Sequence, residues 1–310
     1  MKFAFVFPGQ GSQSVGMMKG YDGLPAVRET FAEASDTLGE HLWELVAEGP
    51  AETLNQTVNT QPVMLTAGVA LYRAWRETGG AAPAFVAGHS LGEYTALVAA
   101  GALTFADALP LVRYRAEVMQ SAVAEGTGAM AAILGLDDDA VRGVCAEAAE
   151  GEVLEAVNFN SPGQVVIAGH KAAVARAMES AKAKGAKRAL PLPVSVPSHC
   201  ALMRPAAENL RTHLATIKIA PPAIPVLHNA DVAVHADADA IKDALVRQLY
   251  SPVRWVETVR ALADQGVTAA VECGPGKVLA GLMKRIDERI QPLALVDAAS
   301  FLDIKNIINQ

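Results

Sequence analysis

The feature that most constrains the fold is an alternation of short apolar or β-branched runs with longer segments of helical periodicity. Each run is long enough for one buried strand, and each longer segment is long enough for a helix that crosses back over a sheet. The alternation predicts an α/β protein with a largely parallel sheet. The predicted strands are residues 3–7, 84–87, 224–227, 269–272 and 293–296. The predicted helices are residues 25–38, 63–78, 92–100, 105–124, 201–217, 238–249, 256–265 and 278–288.

The rhythm changes between Gly126 and Pro193, where the order becomes strand, helix, strand, strand, helix, strand. These elements are residues 129–134, 138–149, 154–158, 164–168, 171–184 and 188–192. The order is typical of a ferredoxin-like unit, a small sheet with two helices on one face. We therefore expect a large α/β domain, residues 1–125 and 196–310, interrupted by a ferredoxin-like insert, residues 126–195. A cleft between two such bodies is a common place for an active site.

Composition excludes several classes of protein. The chain has 26 Lys and Arg against 33 Asp and Glu, a net charge of −7, so it lacks the basic excess of a general nucleic-acid binder. No apolar segment has the length of a membrane span or of a signal-peptide core, so we expect a cytoplasmic protein that does not associate with membranes. The cysteines lie far apart, which predicts reduced, buried thiols and no metal site. They are Cys145, Cys200 and Cys273.

A glycine-flanked serine is the strongest chemical signal in the sequence. Residues 85–93 indicate strand, sharp turn and helix, with Ser90 between Gly88 and Gly92 in a G-x-S-x-G pattern. A serine at such an apex stands clear of the backbone, and the glycines allow close approach of neighbouring segments. The free N–H of Leu91 and the helix dipole would favour the negative charge of a tetrahedral intermediate. The pattern predicts a nucleophile; an ordinary N-cap serine is the structural alternative.

A serine hydroxyl is a weak nucleophile near neutral pH, so the predicted site needs a base. The candidates are His41, His89, His170, His199, His213, His228 and His235. His89 adjoins Ser90 and its side chain should project elsewhere, which favours a supporting role. His199 follows Pro197 and Ser198 at the end of the predicted insert, where it would face the cleft. A structural histidine with satisfied hydrogen bonds remains the alternative for His199.

Arg115 falls in the middle of the apolar face of the helix predicted over residues 105–124. An unpaired guanidinium against a protein core is costly. One interpretation is a clamp for a substrate carboxylate, which suits the planar fork of arginine. The other is an internal ion pair with a carboxylate such as Glu93, or an arginine that reaches solvent at the helix edge. The helical pattern leaves both open.

Several motifs occur in order along the whole chain. They are residues 7–13 (FPGQGSQ), 88–93 (GHSLGE), Arg115, residues 158–164 (NFNSPGQ), 197–199 (PSH), 248–255 (QLYSPVRW) and 272–276 (ECGPG). Together they make the sequence resemble the bacterial malonyl-CoA:acyl carrier protein transacylases of fatty acid synthesis. A set of ordered motifs is more specific than any one of them.

The resemblance implies a role for each matching residue. Ser90 is the acylated nucleophile, and His199 is its general base and acid. Gln248 orients His199 through its main-chain carbonyl. The backbone N–H groups of Gln10 and Leu91 form the oxyanion hole. The resemblance therefore predicts ping-pong transfer through a malonyl-serine ester.

The resemblance also implies substrates and partners. Arg115 would bind the free carboxylate of malonate. The other expected substrate-binding residues are His89, Asn160 and Met119. The partners would be malonyl-CoA and an acidic, phosphopantetheinylated acyl carrier protein. Ping-pong acyl transfer needs no metal or redox cofactor, so none is expected. The CoA thioester counts as a substrate. Branched substrates such as methylmalonyl-CoA stay open.

Two other functions compete with transfer. A serine hydrolase of the α/β-hydrolase type shares G-x-S-x-G, but it expects an acid and then a histidine late in the chain. A docking module that kept the fold would bind carrier proteins without turnover. Two local basic clusters, one around Lys187 and one at Lys284 and Arg285, could bind a carrier protein. The alternative interpretation is that each cluster is a solvated helix end.

Overall fold

The computed structural model describes residues 1–194 and 196–309 and has the predicted α/β fold. Its strands are β1 Phe3–Phe7, β2 Phe85–Gly88, β3 Gly128–Leu134, β4 Leu154–Ser161, β5 Gln164–His170, β6 Arg188–Pro191, β7 Val226–Leu227, β8 Ala269–Glu272 and β9 Gln291–Ala294. Its α-helices are α1 Pro25–Leu38, α2 Leu42–Glu48, α3 Ala51–Leu54, α4 Thr57–Glu77, α5 Gly92–Ala99, α6 Phe105–Ser121, α7 Asp138–Ala148, α8 Lys171–Ala183, α9 Arg204–Leu214, α10 Ala238–Gln248, α11 Trp255–Asp264, α12 Val278–Met283 and α13 Ala298–Ile308.

A five-stranded sheet in the order β7-β2-β1-β8-β9 forms the centre of the large domain, and every neighbouring pair in it is parallel. Strand β1 reads FAFVF and is buried at every position, as expected for a strand covered on both faces. Phe7 at the end of β1 pairs with Gly88 at the end of β2. The loops that follow these two strands therefore leave the same edge of the sheet side by side.

The second sheet has the predicted ferredoxin-like arrangement. Its four strands lie in the order β4-β5-β3-β6 with antiparallel pairing, and α7 and α8 cover one face. The other face packs Met130, Val157 and Val166 against Cys200 of the large domain. The proposed boundaries of the insert stay a prediction, and two residues named in them, Ser195 and Gln310, lie outside the described residues.

Several predicted helix and strand limits were wrong. Helix α4 begins at Thr57 and continues through Pro62, whereas the prediction began at residue 63. Residues 201–217 form a 3₁₀ turn followed by α9, because Pro205 starts a new helix at its first turn. Strand β9 lies two residues earlier than predicted, and α12 ends at Met283. The predictions also missed α2, α3 and α13.

The three cysteines are buried and unpaired, which confirms the expectation of free thiols. Burial raises the pKa of Cys145 and of Cys200 to about 12, so both thiols stay protonated and unreactive near neutral pH. Within residues 1–194 and 196–309, no helix combines the length and the apolar character needed to cross a bilayer.

Candidate active site

The turn between β2 and α5 has the geometry of a nucleophile elbow. Ser90 sits at its apex with φ of 51°, a left-handed conformation that a serine adopts only when its surroundings impose it. A Cβ on Gly88 would lie 1.8 Å from the main-chain carbon of Gly92. A Cβ on Gly92 would lie 2.1 Å from the carbonyl oxygen of Phe7. Both glycines are therefore required by close backbone approach, as the sequence pattern predicts.

Asn229 holds this turn from the neighbouring strand. The N–H of Ser90 donates to Asn229 Oδ1 at 2.7 Å, and Asn229 Nδ2 donates to the carbonyl of Gly88 at 2.6 Å. Asn229 is fully buried and lies just after β7, which pairs with β2. The strained conformation of Ser90 is thus fixed by two hydrogen bonds from one side chain.

His199 lies beside the serine as a general base would. Its Nε2 is 2.8 Å from Ser90 Oγ, and its Nδ1 is 2.7 Å from the main-chain oxygen of Gln248. Because a carbonyl oxygen can only accept, the ring proton belongs on Nδ1 and Nε2 is free to accept the serine proton. Burial, reinforced by the charge of Arg115, lowers the pKa of His199 to about 3. The ring is therefore neutral and able to act as a base at neutral pH.

Arg115 reaches the same point from α6 and is only 1% exposed. Its Nη2 donates to Ser90 Oγ at 3.3 Å and to Gln248 Oε1 at 2.9 Å, and its Nη1 donates to Gln61 Oε1 at 2.9 Å. These acceptors are all uncharged. Its Nε–H has no acceptor among the residues that the structure describes. Burial lowers the pKa of Arg115, and the guanidinium keeps capacity for an anion beside Ser90.

Two backbone amides stand free near the serine. Gln10 follows β1, Leu91 follows Ser90, and both line the cleft. Neither N–H has an acceptor in the described part of the chain. The loops lie close because Gly9 has no side chain: a Cβ there would be 2.5 Å from the carbonyl oxygen of His89. Two unpaired N–H groups beside a serine hydroxyl suit an oxyanion hole.

The serine opens into a cleft between the two sheets. The α/β side contributes the polar groups named above. The other side is mostly apolar. Its lining includes Met130, Leu192 and Val194, while Met119 of α6 and Val196 add apolar surface on the α/β side. A buried polar end and an apolar wall suit a short acyl group that carries one charge.

Comparisons with known proteins agree with this geometry. Residues 4–297 match the family of the acyl transferase domain. The malonyl CoA-acyl carrier protein transacylase of Escherichia coli (strain K12) is 62% identical over 295 residues, which cover 95% of this chain and 96% of that protein. The corresponding transacylase of Bacillus subtilis is 48% identical over 298 residues, covering 96% and 94%. The chain belongs to this family of acyltransferases.

Solved structures of similar proteins have the same fold. An acyl-carrier-protein S-malonyltransferase from Burkholderia pseudomallei has a TM-score of 0.96 and 62% identity, covering 99% of this chain and 100% of that one. A malonyl-transacylase in complex with a type II PKS acyl carrier protein has a TM-score of 0.98 and 55% identity over 99% and 100%. The fold class and the enzyme class predicted from the sequence are confirmed.

His89 and Asn160 form a support at the mouth of this acyltransferase site. His89 Nε2 is 2.8 Å from Asn160 Oδ1, and the ring packs against Trp255 with centroids 5.6 Å apart. Because the amide oxygen accepts, Nε2 carries the ring proton. Burial lowers the pKa of His89, so the ring is neutral. His89 lines the cleft, whereas Asn160 is not among its lining residues; a substrate contact by Asn160 stays a prediction.

A buried polar network lies beneath the serine, and the sequence named only single members of it, with Glu93 as a direct partner of Arg115 and His228 as a candidate base. Its members are Gln61, Glu93, His228, Asn229 and the side chain of Gln248. Gln61 was missed because the predicted helix began at residue 63, two residues after Gln61, whereas α4 begins at Thr57. His228 and Asn229 follow a strand of only two residues, too short to give a clear pattern. Their position after the end of a parallel strand beside β2 was the one available signal.

Proposed function

We propose that this acyltransferase moves a malonyl group from malonyl-CoA to the pantetheine thiol of an acyl carrier protein through an ester on Ser90. One observation carries the proposal: Arg115 Nη2 lies 3.3 Å from Ser90 Oγ, which is 2.8 Å from His199 Nε2. In a malonyl ester the free carboxylate is three bonds beyond the ester oxygen. A guanidinium this close to the serine can therefore bind the carboxylate without moving far.

The first half-reaction acylates the serine. His199 Nε2 takes the hydroxyl proton as Ser90 Oγ attacks the thioester carbonyl of malonyl-CoA. The oxyanion that forms accepts hydrogen bonds from the N–H groups of Gln10 and Leu91. The intermediate collapses when its C–S bond breaks, and the leaving CoA thiolate takes the proton from His199. A malonyl ester remains on Ser90.

The second half-reaction reverses these roles. The carrier protein's pantetheine thiol gives its proton to His199, and the thiolate attacks the carbonyl of the malonyl ester. The same amides hold the oxyanion. The C–O bond breaks, Ser90 recovers its proton from His199, and a malonyl thioester leaves on the carrier. Acyl exchange between sulfur and oxygen is redox-neutral, so the proposed reaction calls on no cofactor.

Substrate preference follows from the buried charge. An acyl group without a carboxylate would enter the pocket and leave the buried guanidinium of Arg115 with uncharged acceptors alone among the described residues. A site built to bind a charged group rejects an analogue that lacks it, because its own polar groups stay unpaired. We therefore expect malonyl-CoA to be preferred over acetyl-CoA. The three unpaired cysteines suit the reducing cytoplasm, where we place the reaction.

A basic groove is the proposed docking surface for the carrier protein. Lys187 and Arg285 line it together with one acidic residue, Asp137, and Arg285 Nη2 donates to Gln164 Oε1 at 2.8 Å. The groove lies at the Leu134 end of β3, while Met130 of the same strand lines the cleft. The rise of a strand puts roughly 13 Å between these two positions. An acidic carrier bound here would hold its flexible arm toward the serine.

Intact-mass analysis after mixing with malonyl-CoA tests the proposal. The native chain should gain one malonyl unit, and Ser90→Ala should gain none. An unmodified native chain would favour the docking module without turnover. Release of malonate to water as fast as transfer to pantetheine thiols would identify a hydrolase. Competition between malonyl-, methylmalonyl- and acetyl-CoA then measures the acyl preference.

A further inference from the structure

One carboxylate lies directly beneath the serine and takes no part in the proposed reaction. Glu93, in the first turn of α5, is fully buried. Its Oε1 is 2.7 Å from His228 Nδ1. Its Oε2 accepts from the N–H of Asn229 at 2.9 Å and from Gln248 Nε2 at 2.8 Å. The backbone N–H of Asn229 and the amide NH₂ of Gln248 can only donate, so the environment suits an ionised acceptor.

His228 contacts the carboxylate through one ring nitrogen. Its Nδ1 carries the proton that Glu93 accepts, and its Nε2 is buried with no partner within the described residues. A second proton on Nε2 would be a buried donor without an acceptor, which is costly. The ring packs on that of His235, which is paired with Asp231.

Gln248 joins Glu93 to Arg115. Its Nε2 donates to Glu93 Oε2 and to the carbonyl of Ser90 at 3.0 Å, while its Oε1 accepts from Arg115 Nη2. A rotated amide would set its NH₂ against the guanidinium and its oxygen against the carboxylate. Only one orientation satisfies both partners. The Glu93 carboxylate thus fixes the orientation in which Gln248 presents its Oε1 to Arg115.

Arg115 has no direct carboxylate partner in the described residues, so the anion one amide away matters for it. Resting on the proposed function, we propose that Glu93 is a positioning residue for acyl specificity: it locks the Gln248 amide, which holds Arg115 at the acyl pocket. Burial lowers the pKa of Arg115, and the neighbouring Tyr94 and Glu93 side chains oppose that effect. Loss of the Glu93 charge would weaken the hydrogen bond that holds Gln248 and let Arg115 shift from the place where it meets the malonyl carboxylate.

Glu93→Gln tests this inference, because it keeps the shape and removes the charge. The measurement is the rate of Ser90 acylation by malonyl-CoA and by acetyl-CoA. We expect the malonyl preference to fall at least about tenfold, the coupling typical of residues in one polar network. Acetylation should change far less. A merely structural role would slow both acylations equally and leave the preference unchanged.

Glu272→Gln is the matched control. Glu272 is also a fully buried carboxylate, but it accepts the N–H of Ala280 at 2.8 Å at the start of α12, away from the cleft. Its substitution should change stability and not the acyl preference. If Glu93→Gln fails to fold, Gln248→Met breaks the same link and should show the same loss of preference.

The two proposals fail in different ways. If the native chain forms no malonyl ester on Ser90, the proposed function is wrong. If the native ester forms and Glu93→Gln, or Gln248→Met in its place, keeps the native preference, only the role of Glu93 is wrong. In Arg115→Ala, adding Glu93→Gln should no longer change the preference; a further full loss there would also contradict the proposed link.

Discussion

Replacing Arg115 by alanine is the most direct perturbation of acyl selectivity. The side chain is buried, and its acceptors in the described structure are amide and hydroxyl oxygens. A malonyl carboxylate bound beside Ser90 would lose its charged donor. An acetyl group would lose nothing, because it has no carboxylate. The substitution should therefore separate the two substrates.

The expected size of the effect follows from the contacts. Hydrogen bonds to charged groups contribute about 1.5–3 kcal/mol each, so two lost bonds cost roughly 3–6 kcal/mol. The remaining amides replace little of this. Gln248 is held by Glu93 with its oxygen toward the pocket, whereas Gln61 donates only to the sulfur of Met119 and can rotate to offer its NH₂. With that compensation, we expect kcat/KM for malonyl-CoA to fall about 10²- to 10³-fold, at about 1.4 kcal/mol per decade.

The assay is transfer to a pantetheine thiol with each CoA ester, with folding checked by thermal unfolding. Arg113→Ala is the control on the same helix, because Arg113 pairs with Glu40 and does not line the cleft. It should leave the ratio of malonyl to acetyl transfer unchanged. An unchanged ratio in Arg115→Ala would refute the carboxylate clamp. If the ratio is unchanged because both activities fall equally, Arg115 has a structural role.

Three more predictions follow from the geometry. Since burial and Arg115 lower the pKa of His199 to about 3, the base stays neutral and kcat/KM for acylation should be flat between about pH 5 and 8; a fall with a midpoint near 6.5 would contradict this. Gly88→Ala should abolish soluble folded protein, because its Cβ would lie 1.8 Å from the Gly92 carbon, while Gly143→Ala in open space should raise Tm slightly. The double substitution of Lys187→Glu and Arg285→Glu should raise the KM for the carrier and weaken the dependence of that KM on salt. Malonylation of Ser90 by malonyl-CoA should stay native. An unchanged KM for the carrier would contradict the proposed docking groove.

The sequence predicted the parts of the site that local constraints determine. The elbow was visible because two close backbone approaches exclude any side chain at Gly88 and Gly92. Arg115 was visible because a charge on an apolar helix face breaks the periodic pattern. Strand β1 was predicted at its observed limits because it is uniformly buried. Each of these signals lies within one element and its immediate turns.

What the sequence did not predict depends on contacts between distant segments. Glu93 and Asn229 are 136 residues apart, yet they share a hydrogen bond. Helix α13 was missed even though Phe301, Ile304 and Ile308 have helical spacing after an Asp297 cap. That signal was available, whereas nothing in the sequence pairs Glu93 with Asn229. Such a network becomes visible only when the parallel strands bring their ends to one edge.

The main chain and the side chain of Gln248 have separate roles in this site, unlike the aspartate of a Ser-His-Asp triad. Its main-chain oxygen accepts from His199 Nδ1, while its side chain links Glu93 to Arg115. In the triad, a side-chain carboxylate sets the histidine tautomer, and replacing it removes that control. Here a main-chain carbonyl sets the tautomer, and no side-chain substitution deletes that atom. Changes at the Gln248 side chain should therefore act on acyl selectivity before they act on the base.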